Sequence, residues 1–329
     1  MDRILFTERM LCNIGLQILP HIKDEDFYSF REKFQEKHLH HFVVNDINSL
    51  SGQEKQREVV KLSTELDLFQ KALLSRLKMH YGEVLRSEIS NSHRSALNTI
   101  LCHKKVDLYR GEKRIYFSRF YYSMDIQNAF GCMTTEKVLE VLKGDFQDES
   151  LEKILKLTCF DLHRGIITGA SASSYLYFLY WQKKIDSKIY ELCREEGIIC
   201  TRYVDDFLFS SEHKITKSFS KKVLKVIRNA NFEINFQKTQ FYDLGRETFN
   251  VNGIVFRKKD NRGAIGIPKT RSRKLLGMLN QYEKGNIKIA QLAGAMSLLE
   301  KISQVHNGAF LSRTHQKILS RYRKLKRWV

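Results

Sequence analysis

The spacing of apolar and polar positions predicts alternating helices and strands along most of the chain. Helices are predicted over residues 1–40 (with a break at Pro20), 64–77, 139–158 and 217–230. Strands are predicted over residues 57–62, 115–126, 232–242 and 249–257. No repeat of 20–50 residues is visible, which excludes a solenoid. A mixed α+β fold with a helical C-terminal part follows.

One segment combines a long helix with an acidic hairpin. Residues 171–196 predict a helix that begins at a serine N-cap and stops at Gly197. Two short apolar strands, IICTRY and FLFSS, follow on either side of Val204-Asp205-Asp206. This order predicts a hairpin that carries carboxylates at its tip.

Composition narrows the function. With 56 Lys and Arg against 37 Asp and Glu, the formal net charge of +19 suits a polyanion such as nucleic acid. The 42% hydrophobic content, with 14 Tyr and 21 Phe, excludes a disordered protein. No apolar run is long enough to span a membrane, and Asp2 and Glu8 argue against a secretory signal. Six scattered cysteines without a CxxC pair predict a reduced, cytoplasmic protein without structural zinc, and no membrane partner is expected.

Three carboxylates form the strongest chemical signal. Asp205 and Asp206 lie between apolar strands, and Asp125 ends another strand-like segment. An isolated Asp pair is typical of a solvated turn. Three carboxylates brought together on a basic protein instead favour a bound cation, since hard oxygen ligands prefer Mg²⁺ and paired ions drive phosphoryl transfer.

Four motifs, in order, resemble those of reverse transcriptases. They are MDIQNAF (124–130), YVDD (203–206), FEINFQKT (232–239) and FNVNGIVF (249–256), within a match over about 43–304. The resemblance implies an α+β right-hand polymerase fold with fingers, a palm built on an antiparallel sheet, and a helical thumb. The implied parts are an N-terminal helical extension (1–45), fingers (46–120 with part of 140–200), palm (121–265) and basic thumb (266–329).

The same resemblance implies a set of site residues. Two Mg²⁺ ions, or Mn²⁺, would be held by Asp125, Asp205 and Asp206 together with Ile126. Lys238 would neutralise or protonate the leaving pyrophosphate. The nucleotide contacts implied for the dNTP are Lys55, Arg57, Phe130, Thr168 and Gly169. Phe130 would exclude the 2′-hydroxyl of a ribonucleotide, although alone it is as typical of a core phenylalanine, and Lys55 and Arg57 are also typical of a solvated basic turn.

Departures from the family pattern point to a branch. Thr168 stands where these enzymes usually have glutamine, and Ser174 where they have proline, whereas Gly169 and Ser173 match. Such variants occur in bacterial antiphage-defence reverse transcriptases of the abortive-infection and unknown-group types. His103 resembles the last residue of the retron NAxxH signature.

Residues 251–253 resemble the retron VTG triplet, although they are equally typical of a strand with a bulge glycine. The predicted RNA contacts are therefore His103, Asn252 and Gly253, together with Arg321, Arg323 and Lys324. The last three belong to residues 301–329, which hold eight Lys and Arg and no acid.

The sequence therefore predicts an RNA-directed DNA polymerase of the retron and defence cluster. Its partners would be a structured non-coding RNA, the DNA product, dNTPs and a toxin or effector protein. Two alternatives remain: a template-independent or protein-primed DNA polymerase, and a non-catalytic RNA-binding scaffold. The presence of all three aspartates argues against the scaffold.

Overall fold

The fold is α+β, as the order of elements predicts. The computed structural model describes residues 8–47, 54–82, 89, 95–109, 112–142, 144–145, 150–259, 262–305 and 311–326. The helices are α1 (Glu8–Cys12), α2 (Asp24–His38), α3 (Thr64–Tyr81), α4 (Ala96–Leu101), α5 (Thr135–Leu142), α6 (Leu151–Thr158), α7 (Ser171–Trp181), α8 (Ser187–Glu195), α9 (Lys217–Asn229), α10 (Lys269–Glu283), α11 (Ile289–Val305) and α12 (Arg313–Lys326). A 3-10 turn (Leu19–His21) follows α1, and a π-helical turn (Gln182–Asp186) joins α7 to α8.

The strands form one central sheet and several smaller ones. They are β1 (Leu39–Ile47), β2 (Glu54–Leu62), β3 (Lys104–Tyr109), β4 (Glu112–Phe117), β5 (Phe120–Gln127), β6 (Phe160–Asp161), β7 (Gly165–Ile166), β8 (Ile199–Tyr203), β9 (Asp206–Ser211), β10 (Glu233–Ile234), β11 (Gln240–Asp243), β12 (Phe249–Val251), β13 (Ile254–Lys259) and β14 (Arg262–Gly266). The central sheet is antiparallel in the order β10–β5–β9–β8, and β11 pairs with the first half of β5. Separate sheets are formed by β1–β2, β3–β4, β6–β7 and β12–β13–β14.

Two hydrophobic cores lie on opposite faces of the central sheet. On β5, Tyr122 and Met124 point into the first core, whereas Tyr121 points into the second. This division follows from the two-residue period of a strand. The first core contains residues of α2, α3 and α5 to α9. The second contains residues of α4, β12 to β14 and α10 to α12, so it extends across the predicted palm–thumb boundary at residue 266.

Several predicted elements are confirmed, with boundaries that local chemistry explains. The helix predicted over 64–77 runs from Thr64 to Tyr81, and Ser63 caps it by accepting from the amide of Leu66 at 3.2 Å. The helix predicted over 217–230 is α9, which Thr216 caps in the same way. The helical prediction for the N-terminal part is confirmed in part, because residues 39–47 are a strand.

Several predicted elements are interrupted. The single strand predicted over 115–126 is divided between β4 and β5, with Ser118 and Arg119 between them. The single helix predicted over 139–158 is instead the pair α5 and α6, and Gly144 between them has φ +93°, a conformation that no helix interior accepts. The strand predicted over 232–242 holds only the short strands β10 and β11, since residues 235–239 form a turn in which the amides of Lys238 and Thr239 bond back to the chain.

The start of α7 corrects the predicted serine cap. Ala170 occupies the N-cap position and has no side-chain acceptor to offer. Gln70, buried on α3, replaces it by accepting from the amide of Ala172 at 2.9 Å. The predicted stop at Gly197 is confirmed, since this glycine has φ +62° and follows the end of α8.

The bulge expected near residue 253 is a hairpin turn. Val251 pairs with Ile254, so Asn252 and Gly253 form a two-residue loop between β12 and β13. Both have positive φ, 51° and 77°, which is the pattern of a type I′ turn. An Asn-Gly pair is the residue pair that this turn favours, and it accounts for these two residues without an RNA contact.

Candidate active site

The hairpin of β8 and β9 brings two of the predicted carboxylates to the middle of the molecule. Tyr203 pairs with Asp206, which leaves Val204 and Asp205 as a two-residue turn. Val204 has φ 60°, while Asp205 has negative φ, the pattern of a type II′ turn. A β-branched residue in this conformation stores strain of about 1–3 kcal/mol. The amide of Ile126 on β5 fixes the turn by donating to the carbonyl of Asp205 at 3.1 Å.

The third carboxylate faces the hairpin across the sheet. Asp125 on β5 pairs in register with Asp206 on β9, and its side chain is buried. Burial and the two neighbouring carboxylates raise the pKa of Asp206 to about 7. Burial, then the charge of Asp125, also raises the pKa of Asp205. The three carboxylates therefore oppose one another when ionised, and either a proton or a nearby cation would relieve this repulsion.

Lys238 supplies a positive charge at this point. It lies in the turn after β10, which is attached to β5 where the amide of Asn235 donates to the carbonyl of Asp125 at 2.8 Å. The ammonium Nζ donates to Asp125 Oδ2 at 2.9 Å, and the lysine side chain is 58% exposed. The exposed and flexible side chain of Lys238 permits the predicted contact with a pyrophosphate.

The donor set suits a hard divalent cation. Three carboxylates with no nitrogen or sulfur ligand beside them are typical of Mg²⁺ or Mn²⁺ sites. In the described part of the chain, however, no three His, Cys, Asp or Glu side chains converge as a ready metal-binding group. Ile126 is buried, and its amide is bonded to the turn. The two-ion site therefore remains a prediction that the chemistry of these residues supports.

Phe130 lies just beyond β5, in the turn that follows Asp125. Its ring is half-buried and stacks on Tyr177 of α7, with centroids 4.6 Å apart and planes inclined by 13°. The carbonyl of Phe130 accepts from the amide of Ile166 at 3.3 Å. This approach requires a glycine at 165, because a Cβ there would lie 2.5 Å from the carbonyl oxygen of Gly131 and φ is +79°.

The predicted nucleotide contacts lie on two separate segments of the chain. Thr168 and Gly169 are exposed in the loop between β7 and α7, which starts next to Phe130. Lys55 and Arg57 lie on β2, but their side chains are outside the described residues. An ion pair between Glu58 of β2 and Arg164 connects the β1–β2 ribbon to the loop before β7. The binding roles of these residues remain predictions.

His103 is a core residue, which corrects its predicted contact with RNA. The side chain has no exposed surface, and its two ring nitrogens lie 2.7 Å from the hydroxyls of Ser210 and Thr201. Burial lowers the pKa of His103 to about 3, so the ring is neutral at physiological pH. Its location under β8 and β9 is incompatible with a direct RNA contact.

Two of the predicted basic residues of α12 form contacts within the chain, although Arg323 is itself exposed. Arg321 forms an ion pair with Glu283 and bonds Asn280, both on α10. Arg323 bonds Ser303 of α11 at 3.3 Å. Lys324 is exposed and, with Lys317, borders an open surface cavity of about 430 Å³. The exposed lysines of α12 are therefore better candidates for phosphate contacts than the two arginines.

Sequence reasoning missed a buried ion pair next to the turn that carries Asp205. Arg202 on β8 and Asp186 at the end of the π-helical turn are both almost fully buried. Arg202 lies in the largely apolar strand segment IICTRYV, where a charge was the available signal, whereas Asp186 lies in the polar run QKKIDSK and gave no such signal. The partner of each is 16 positions away, a separation that no local pattern reveals.

None of the helices among the described residues is long and apolar enough to cross a membrane.

Residues 48–279 match the family model for reverse transcriptase (RNA-dependent DNA polymerase). Two solved structures are similar to this chain. One is telomerase from Candida albicans in complex with a fragment of telomeric RNA, with 13% identity, a TM-score of 0.42, and coverage of 90% of this chain and 59% of that one. The other is apo telomerase from Candida tropicalis truncated from its C-terminal domain, with 13% identity, a TM-score of 0.41, and coverage of 74% and 60%. The chain thus spans less than two thirds of either telomerase chain.

Proposed function

Because the chain belongs to the reverse transcriptase family, we propose that it is an RNA-directed DNA polymerase whose nucleotidyl-transfer site is formed by Asp125, Asp205 and Asp206. The observation that carries this proposal is the register of β5 and β9, which sets Asp125 opposite Asp206 with Asp205 on the adjoining turn. The raised pKa values of Asp205 and Asp206 support a site made to receive divalent cations.

These carboxylates would hold two Mg²⁺ ions, which supply Lewis-acid activation of the primer hydroxyl and stabilise the departing pyrophosphate. Phe130 would lie under the sugar and select deoxynucleotides. Its stack on Tyr177 supports this role, because a ring fixed by a second ring cannot easily move aside for a 2′-hydroxyl. Lys238 would neutralise charge that develops on the phosphates.

The template that we propose is a structured non-coding RNA, copied as part of antiphage defence. Support comes from the net charge of +19, from the exposed lysines of α12, and from the resemblance of residues 165–174 to defence-associated enzymes. A toxin or effector protein would be a further partner. Sequencing the nucleic acid that copurifies with the full chain tests this proposal, and a single enriched RNA with DNA complementary to it is the expected result. Unspecific cellular RNA without a DNA copy would contradict it.

Primer extension tests the polymerase itself. Wild type is expected to extend a DNA primer on an RNA template, and Asp205→Asn to lose activity by at least about a hundredfold, because an amide cannot replace a metal-binding carboxylate. Glu212→Gln is the matched control, since Glu212 follows β9 at the opposite end of the strand and its exposed side chain pairs with Lys105. Activity of Asp205→Asn within tenfold of wild type would contradict the assignment.

A second candidate is a template-independent or protein-primed DNA polymerase. The replacement of the family's glutamine by Thr168, in an exposed loop next to Phe130, favours altered use of the template. The same assay separates the two functions. DNA synthesis that proceeds without an added template, or a product attached to the protein, would favour the second candidate.

A further inference from the structure

A buried ion pair supports the turn that carries Asp205. The guanidinium of Arg202 has no exposed surface, and its Nε and Nη2 donate to Asp186 Oδ1 and Oδ2 at 2.9 and 2.7 Å. Its remaining arm, Nη1, donates to the carbonyl of Val204 at 2.8 Å. All three sides of the guanidinium are therefore engaged, two on a carboxylate and one on the strained residue of the turn.

The position of Asp186 depends on an irregular helix. It is the last residue of the π-helical turn that joins α7 to α8, and it is 1% exposed. A π turn inserts one residue relative to an α-helix, which rotates the following helix by about 100° relative to the preceding one. This rotation determines which residue of the segment faces β8. π-helical turns are rare in proteins, and those that occur are frequently found near functional sites.

Folding stability alone does not explain why a buried ion pair occupies this position. Removing two charges from water is costly, and well-packed apolar residues would often serve as well or better. The surroundings are apolar enough for that exchange, because the guanidinium carbon lies 5.1 Å from the ring of Trp181 and 5.9 Å from that of Phe207. An apolar side chain, however, could not donate to the carbonyl of Val204.

The turn needs such a donor. Val204 has φ 60°, which a β-branched residue keeps only where its surroundings fix it. The amide of Ile126 holds the carbonyl of Asp205 on one side of the turn, and Nη1 of Arg202 holds the preceding carbonyl on the other. Together these two bonds fix the peptide groups on both sides of Asp205, Val204–Asp205 and Asp205–Asp206.

We propose that Asp186 and Arg202 are positioning residues for the catalytic turn: Asp186 orients the guanidinium, and the guanidinium fixes the carbonyl of Val204, which places the carboxylates of Asp205 and Asp206 for divalent cations. The inference rests on the proposed function of these aspartates. It predicts that the pair controls binding of the cation rather than binding of nucleic acid or nucleotide.

Arg202→Lys is the most informative variant. Lysine keeps the charge and can pair with Asp186, but it lacks the planar fork needed to bond a carboxylate and a separate carbonyl together. Asp186→Asn is the second variant, because it preserves shape while releasing the guanidinium. Val223→Ala is the matched control, since Val223 is fully buried in the same core but lies on a different element, α9.

Primer extension over a Mg²⁺ series is the first measurement. For Arg202→Lys we expect kcat to fall at least about tenfold and half-saturating Mg²⁺ to rise at least about threefold, with dNTP KM at saturating Mg²⁺ within about twofold of wild type. Val223→Ala, which lowers the melting temperature through a cavity, should keep the wild-type Mg²⁺ requirement. A wild-type Mg²⁺ requirement in both Arg202→Lys and Asp186→Asn would overturn the proposal and leave a purely structural pair.

The second measurement is Mn²⁺ binding to the full chain without nucleic acid. The unbound ion is monitored by electron paramagnetic resonance. Arg202→Lys should weaken Mn²⁺ binding at least about threefold, as a displaced carboxylate would, and Asp205→Asn should remove it. This experiment keeps the two ideas apart. If wild type binds Mn²⁺ but extends no primer, the proposed polymerase fails while the positioning role is still tested. If Arg202→Lys binds Mn²⁺ like wild type, the positioning role fails.

Discussion

His103 allows a quantitative test of its assignment to the core. Because its folded-state pKa is about 3 and its unfolded-state pKa is about 6.5, the unfolded chain takes up a proton that the folded chain refuses as pH falls below 6.5. The stabilisation is therefore fully present above pH 6.5 and is lost by about 1.4 kcal/mol per pH unit until the pH approaches 3. Between pH 7.5 and 5.0 the loss that His103 contributes is about 2 kcal/mol.

The perturbation is His103→Gln, whose amide can still bond the hydroxyls of Thr201 and Ser210 but does not titrate. At pH 7.5 the variant should be less stable than wild type by about 1–3 kcal/mol, the cost of imperfect bonds at a buried site. At pH 5.0 this difference should shrink by about 2 kcal/mol, because only the wild type loses the stabilisation that depends on an unprotonated His103. The assay is equilibrium urea unfolding at pH 7.5, 6.5 and 5.0.

His213→Gln is the matched control, because His213 is exposed just beyond β9. It makes the same substitution at a surface position, so it reports the effect of the exchange without burial. A difference between wild type and His103→Gln that does not change with pH would refute the reasoning from burial. RNA affinity measured on the folded His103→Gln variant at pH 7.5 separates the RNA contact predicted from the sequence from a purely structural role in the core. A large loss of affinity without the pH effect would restore His103 as an RNA contact.

Three further predictions concern the site and the lysines of α12. Phe130→Val should raise incorporation of ribonucleotides relative to deoxynucleotides at least about tenfold in primer extension, because it opens space under the sugar, and an unchanged ratio would leave Phe130 as a core residue only. In urea, the free energy of unfolding of Val204→Gly should be about 1 kcal/mol larger than that of Val204→Ala, since only glycine accepts φ 60° without strain. The reverse order would exclude strain at the turn. Changing Lys317 and Lys324 together to Gln should reduce the slope of log affinity against log salt for the copurifying RNA by about 1.5, measured by filter binding, whereas an unchanged slope would show that these lysines are only solvated.

The parts of the site that the sequence predicted are those whose signal is local. The alternation on both sides of Val204 predicts a hairpin, and β8 and β9 form it with Asp205 on its turn. The strand that carries Asp125 was predicted in part, because the single strand expected over 115–126 is divided between β4 and β5, and the aspartate lies two residues before the end of β5. Neighbouring residues decide these features, so their order in the chain suffices.

The parts that were missed depend on residues far apart in the chain. Gln70 caps a helix that begins 101 residues later (171 minus 70). Arg202 finds Asp186 only because a π turn rotates the helix between them. His103 looked like a surface residue of a binding signature, whereas its two hydroxyl partners come from strands about 100 residues later. Hydrogen-bond partners of this kind are set by packing, and no spacing rule in the sequence encodes them.

The second hydrophobic core has a consequence for synthesis of the chain. Its early members, among them Leu97 and Phe117, precede the central sheet, while Leu244 and all later members follow it. Phe117 and Leu244 are 127 positions apart (244 minus 117), which a ribosome adding about 5–20 residues per second covers in about 6–25 s. During that interval the nascent chain can complete much of the first core, but one face of its sheet has no partner. A chaperone that covers apolar surface on nascent chains should therefore stay bound to this protein until α12 has left the exit tunnel.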